Sequence, residues 1–455
     1  MLSTVKKRYN NNMTATSCPA SPPPPPKRAK VTELRCSSFH QSFSDSDHSP
    51  DAFLQRAAEF PDLECLQMDR GYWSAEKVVD VLKKCPKIEK LILSVEGGCF
   101  EKPAGLDVIL AHIAQNQTPL RLLAIKGYED CLHPFGRDMA AMLEANTTLT
   151  TLHLEGLDGR HMDPVLHVLA SPKSRTLRNL VLRKMDFYPN DCEAIAEVVR
   201  GETALESVDL SGNGIRSLGC MLFADTTRCV QRLILRDCQI GDAGLYHLAK
   251  MVKGTTVTEL DVGENHFTYE SIRYMADALK KNQHLRYLCL GAKIGHPNTP
   301  EMLTALTENR TLEKLDTCLE VYSGLMTTLL EVLRVHTSLK YLRVSFDLPA
   351  EELASFFHGV ENSEGLKSLE IVSCEKIDTK IAKTALLRML MNNHTLLEFE
   401  CKSTYKKLYD MAIKLNRKNA QKPTPNLKEL KKQLLEPFQE EEEEEEEEEV
   451  EKQVE

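Results

Sequence analysis

The residues that could carry chemistry in this chain fall into four groups, and spacing decides most of them. Gly212-x-Gly214-x-x-Ser217 follows an apolar run ending at Leu210. A Gly-x-Gly-x-x-Gly turn at such a place cradles a dinucleotide pyrophosphate, because glycine lets backbone N–H groups approach the phosphates. Here the third glycine is Ser217, and the segment falls in step with loops elsewhere in the chain. The Asn-x-Thr triplets at Asn116, Asn146, Asn309 and Asn393 have the form of glycan acceptors. The fourteen Cys and fourteen His are scattered, with no Cys-x-x-Cys, no His pair at zinc spacing and no His-Glu-x-x-His. Gly-x-x-x-x-Gly-Lys-Ser/Thr and Gly-x-Ser-x-Gly are absent too. No catalytic, cofactor or metal set is identified, and the protein reads as a non-enzyme. The fourth group is different: arginines, tyrosines and carboxylates that recur beside regularly spaced leucines, which is chemistry for recognition.

The leucines belong to a repeat. Apolar-x-x-apolar-x-apolar occurs thirteen times, beginning at Leu63, Ile88, Leu120, Leu149, Leu177, Leu205, Val230, Val257, Leu285, Leu312, Leu339, Leu366 and Leu396. Successive starts lie 25 to 32 residues apart, a period that marks stacked supersecondary units. In the clearest unit, Val230, Leu233 and Leu235 open a short strand of period two. Cys238 then stands where neighbouring units have Asn213 and Asn265, and a polar side chain there can bond the turning backbone. Leu245, Leu248, Ala249 and Val252 follow at i, i+3, i+4, i+7, the apolar stripe of a helix.

Helix ends recur as well. Asn146, Asn282, Asn309, Asn393 and Gly254 each precede the next unit's first apolar residue by three. Asn and Gly tolerate the left-handed conformation that closes helices, so these positions are expected to be caps of that kind. The capping role also accounts for the Asn-x-Thr triplets without invoking glycans.

Strand–loop–helix units of this length, with Leu-x-x-Leu-x-Leu-x-x-Asn/Cys and an Ile240-Gly-Asp-x-Gly244 turn, resemble the ribonuclease-inhibitor type of leucine-rich repeat. The resemblance covers about three quarters of the chain. It implies an α/β leucine-rich-repeat solenoid, a horseshoe with parallel strands on its concave face and helices on its convex face. Two units depart from the pattern. Ile88 to Leu120 is long and contains Gly97, Gly98, Pro103 and Gly105, and the unit at Leu312 reads Leu315-Asp-Thr317 where an apolar residue is expected.

Strand side chains alternate, so the residues flanking each buried leucine point to the inner face. In order these include Lys126, His153, Glu155, Arg183, Asp209, Arg232, Arg236, Glu259, Asp261, Tyr287, Tyr341 and Arg343. Adjacent strands stand about 4.8 Å apart. Arg183, Arg232 and Arg236 are therefore expected to approach one another around Asp209, with Glu259 and Asp261 abutting them. Such a strip suits a protein partner, and its mixed sign speaks against nucleic acid, which requires a continuous basic path.

The flanks divide by composition. Residues 1–50 hold the prolines 22–26, a Ser-rich stretch and a charge of +4, and are read as a disordered head. Lys27-Arg28-Ala29-Lys30 within it resembles a short import signal. The solenoid is assigned to 51–401 and capping helices to 402–436, since an open array end exposes core. Residues 437–455 are read as a disordered tail. Twelve Glu and one Lys in 440–455 carry more negative charge than the whole chain's −10, so the rest is near neutral. Glu440–Glu449 offers basic proteins a tract to bind.

No run approaches 18 apolar residues and no secretory leader is visible, so a monomer of cytosol or nucleus is expected, with reduced thiols. The leading functional reading is an adaptor or scaffold that holds a protein on its concave face. Rivals are a GTPase-activating regulator, which would also join repeats to an acidic tail, a ubiquitin-ligase substrate receptor, and a tail-based chaperone for basic proteins.

Overall fold

A computed structural model describes residues 32–36, 50–69, 73–96, 105–131, 135–171, 176–200, 204–226, 230–295, 298–401 and 413–414. Within them lie fourteen strands. The first seven are β1 (Glu33–Cys36), β2 (Cys65–Met68), β3 (Lys90–Glu96), β4 (Leu122–Cys131), β5 (Thr151–Leu157), β6 (Asn179–Arg183) and β7 (Ser207–Asp209). They continue as β8 (Arg232–Ile234), β9 (Glu259–Asp261), β10 (Tyr287–Ile294), β11 (Lys314–Tyr322), β12 (Tyr341–Asp347), β13 (Ser368–Cys374) and β14 (Glu398–Cys401). One helix joins each consecutive pair, from α1 (Pro50–Ala57) to α13 (Lys380–Asn392).

Strand order equals chain order, and every pairing is parallel. Leu66, Leu91, Leu123, Leu152, Leu180, Val208, Leu233, Leu260, Leu288 and Leu315 stand in one register column. All are at most 1% exposed. The thirteen residues that open the repeats are buried as well, none more than 3% exposed. Helices cover one face of the sheet. On the other, alternate residues of β5, β6, β12 and β13 are only half-buried. Packed helices need about 8–10 Å and paired strands about 4.8 Å, so the sheet curves with its strands inside.

The solenoid starts one unit before the expected boundary at 51. β1 pairs with β2, Leu34 standing opposite Leu66 and Cys36 opposite Met68. A strand in this stretch needs only two residues of the pattern, Leu34-x-Cys36, because the next strand supplies its hydrogen-bonding edge. The irregular unit at Leu312 is a strand too. The register shifts between Lys314 and Cys318, and Leu319 arrives opposite Val344. Leu319 is fully buried, so a bulge restores the core residue that the spacing omits.

The asparagines close helices by a different device from the one expected. Asn146, Asn282, Asn309 and Asn393 have φ between −70° and −80° and ψ between 120° and 143°, an extended backbone. Their side chains do the capping. In each, Nδ2 donates to a carbonyl near the end of the preceding helix: Ile113, Val252, Leu279 and Val360 respectively. Each Oδ1 accepts from the backbone N–H groups two and three residues on, as with Thr311 at 2.9 Å and Leu312 at 2.8 Å. One amide thus ties two repeats together, and it is buried for that reason. Asn116, with φ 55°, is the left-handed one, whereas Gly254 ends α8 (Asp242–Gly254) without a positive φ.

The expected loop asparagines behave as the sequence suggests. Asn265 Nδ2 donates to Leu235 O and Val262 O, and its Oδ1 accepts from the N–H groups of Cys238 and Ile240. Asn213 does the same two repeats earlier, and in the repeat between them the Cys238 thiol donates to Leu210 O.

At the C-terminal end, residues 413–414 are helical and Ile413 is buried against the core. The remaining residues of the expected caps, the import-like cluster, the proline run and Glu440–Glu449 lie outside the described residues. Within them, no helix is long and apolar enough to cross a membrane.

Candidate protein-binding surface

The open face of the sheet is organised in rows by strand register. A first row runs Thr151, Asn179, Ser207, Arg232, Glu259, Tyr287, Lys314, Tyr341 and Ser368. A second, two residues further along each strand, includes His153, Val181, Asp209, Ile234, Asp261, Cys289 and Asp316. Beyond the shift in β11, Arg343 stands opposite Cys318 and Glu370 opposite Arg343. Each row is a ladder of neighbours about 4.8 Å apart, so charge alternation along it becomes ion pairing.

At the N-terminal side, Glu155 Oε2 receives His153 Nε2 at 3.2 Å and lies 3.9 Å from Lys126 Nζ. Burial holds the His153 pKa below its ordinary value and outweighs the opposing pull of Glu155. Arg183 donates from Nε and Nη2 to Asp209 Oδ2 at 2.8 and 2.5 Å, and hydrogen bonding to that carboxylate raises its pKa. Arg232 Nε lies 2.6 Å from Glu259 Oε2. Arg236 Nη1 donates to both Asp261 oxygens at 3.2 Å and to the Cys289 thiol, while its Nη2 donates to Glu264.

The expected meeting of three arginines is therefore only partly realised. Arg236 is close enough to Arg183 for its charge to oppose the rise that Asp209 causes. Arg232 opens β8, whereas Arg236 lies in the turn beyond the end of that strand. The former sits in another row and pairs with Glu259. Asp209, Glu259 and Asp261 do abut the arginines, and each is taken up by one of them.

Further along, Tyr287 and Tyr341 flank Lys314, whose ammonium lies 5.2 Å from one ring centroid and 4.8 Å from the other. Lys314 also reaches Asp316 at 3.3 Å. The Tyr287 hydroxyl donates to Asp316 at 3.3 Å and that of Tyr341 to Glu370 at 2.7 Å. Arg343 Nε donates to the second oxygen of Glu370 at 3.0 Å. Burial, reinforced by these carboxylates, holds both phenols above the usual tyrosine range. The sequence reading singled out the two tyrosines and Arg343 but missed Lys314, Asp316 and Glu370. Keeping the irregular Leu312 unit in register would have found the first two, because Lys314 and Asp316 flank Leu315 as Tyr287 and Cys289 flank Leu288.

Comparison with known proteins agrees with this architecture. A leucine-rich-repeat family model matches residues 203–224 and 227–249. The chain is 25% identical over 254 residues to ribonuclease inhibitor of Sus scrofa, covering 53% of this chain and 54% of that protein. It is 28% identical over 230 residues to human NACHT, LRR and PYD domains-containing protein 12, covering 48% of this chain and 21% of the relative. The chain thus spans about half of the first relative and about a fifth of the second. Among solved structures, a yeast complex of Rad7 and Elc1 aligns over 72% of this chain and 81% of its own, at 14% identity and a TM-score of 0.44. Repeats of this kind generally mediate protein binding and are generally not enzymes. The chain folds as an α/β leucine-rich-repeat solenoid, and its units are similar to those of ribonuclease inhibitor.

Proposed function

We propose that this chain is a non-enzymatic adaptor or scaffold that holds a protein partner against its concave face. The supporting observation is the one-sided sheet. Parallel sheets are ordinarily covered on both faces, yet here the inner face stays half-exposed and presents arginine and tyrosine in register. The contact residues in this reading are Lys126, His153, Glu155, Arg183, Asp209, Arg232, Arg236, Glu259, Asp261, Tyr287, Tyr341 and Arg343, joined by Lys314, Asp316 and Glu370. Their charges already pair within the face, and an exposed pair contributes at most about 1 kcal/mol to the fold. Binding energy then comes from tyrosine and arginine contact area rather than from net charge. Of the nine cysteines whose side chains are described, seven are buried thiols outside any disulfide, which supports a reducing compartment.

Affinity capture with the full chain tests the reading. Proteins retained by the wild type should be lost from an Arg183→Glu/Arg232→Glu/Arg236→Glu variant and kept by a convex-face control, Tyr246→Ser. An unchanged set on the triple variant would sink the concave-face reading.

A further inference from the structure

One place on the inner face is a receptacle. Arg232, Ile234, Glu259, Asp261, Tyr287 and Lys314 enclose a depression of about 360 Å³. Four of them come from the first row of the face and two, Ile234 and Asp261, from the second. The set combines an aromatic wall, an aliphatic contact and carboxylates.

Lys314 shows what Tyr287 accepts, since it already places an ammonium 5.2 Å from that ring from the β11 side. Toward β9 the same tyrosine has Glu259 as its register neighbour, with Asp261 two residues further along that strand. The local balance is negative. Glu259, Asp261, Glu264 and Asp316 face three cations, Arg232, Arg236 and Lys314, which they hold in pairs. Asp261 and Asp316 add to burial in pushing the Cys289 thiol up to about 11. A carboxylate has about four acceptor positions, and Glu259 gives one to Arg232 at 2.6 Å, so acceptor capacity is left over. An acidic guest would be opposed by Asp261, Glu259 and the negative face of the ring, and would have to draw Arg232 and Lys314 away from the carboxylates that hold them.

We propose that this depression receives an arginine side chain of the protein partner, its guanidinium stacked on Tyr287 and hydrogen-bonded to Glu259. The planar, weakly hydrated guanidinium suits a ring and a carboxylate together better than an ammonium does. This subsite rests on the reading of the concave face as a binding surface and adds what the partner must present there.

Saturation-transfer NMR on the full chain tests it with three probes: N-acetyl-arginine methylamide, its neutral citrulline isostere, and N-acetyl-glutamate methylamide. The arginine probe should bind at least about tenfold more tightly than either of the others, the equivalent of one hydrogen bond to a charged group. Tyr287→Phe keeps the ring and should keep the preference, whereas Tyr287→Leu and Glu259→Gln should each abolish it. Equal binding of citrulline or glutamate, or an arginine preference untouched in Tyr287→Leu and Glu259→Gln, would overturn the proposal. If the preference is absent while partner capture still depends on the arginines of the face, only this subsite falls. If capture is also indifferent to them, the surface reading falls with it.

Discussion

The guanidinium of Arg236 lies across Gly263, so that a Cβ added to the glycine would stand 2.7 Å from Nη1. The absent side chain is what lets Arg236 reach Asp261, Glu264 and Cys289 together. In Gly263→Ala the flexible arginine end gives way, so stability should fall by less than about 1 kcal/mol. The ion pairs should nevertheless be lost. The check is the Arg236 Nε–H resonance, which should move to the position of a free guanidinium while the thermal midpoint hardly changes. An unmoved resonance would mean that the pose does not depend on the glycine.

Asn309 is fully buried, and its amide makes hydrogen bonds to Leu279 O, Asn282 O and the N–H groups of Thr311 and Leu312. Asn309→Ala leaves those backbone groups unpaired in the interior and should cost about 2–4 kcal/mol in urea denaturation. Asn309→Asp keeps the acceptor but loses the donor and buries a charge, so it should be no less damaging. A loss below about 0.5 kcal/mol in either would show that water replaces the amide.

This amide role marks the limit of what spacing reveals. The recurrence of asparagine three residues before Leu149, Leu285, Leu312 and Leu396 placed those caps correctly, because position follows from the repeat. Whether the backbone turns left-handed or the side chain bridges to the preceding helix depends on a carbonyl about thirty residues away, which no local window contains. The inner face divides the same way. Rows were legible because side chains alternate, and Tyr287 and Tyr341 follow from that. The pairing of Arg232 with Glu259 rather than with its sister arginines required the register. Lys314 and Asp316 were hidden by Thr317, a polar residue that the strand buries while a bulge brings Leu319 into the core.

His336 holds the same place before Leu339 that asparagine holds elsewhere, is 2% exposed, and neither ring nitrogen meets a hydrogen-bonding partner among the described residues. Burial, aided by Arg310, lowers its pKa from 6.5 to about 4. The unfolded chain therefore binds the proton first on acidification. This histidine's contribution to stability is present above about pH 6.5 and is lost as pH falls toward 4. His336→Asn should raise stability by about 1 kcal/mol at pH 7 and by more at pH 4.5. Thermal unfolding of the two proteins across that range decides it, and a gap that does not widen toward acid would refute the assignment.

Burial pushes the Cys192 and Cys238 thiols up to about 12 and raises Cys220 as well. Thiolate is the reactive form, so native protein at pH 8 should leave all three unlabelled by iodoacetamide. Among the nine cysteines whose side chains are described, the half-buried Cys65 and Cys374 should label first. Mass spectrometry of timed digests reads this directly, and comparable rates at Cys192 and Cys65 would contradict it.

Chain order and strand order coincide from β1 to β14, so among the described residues each strand is paired only with those of the adjoining repeats. Pulled by its two ends, such a molecule has no single clasp to break. It should surrender its turns one after another from whichever rim is weaker, each giving up a similar length at a similar force, and rewind in reverse when released. Mechanically it is a spring made of coils, and its neighbours on either side of a damaged coil keep their grip.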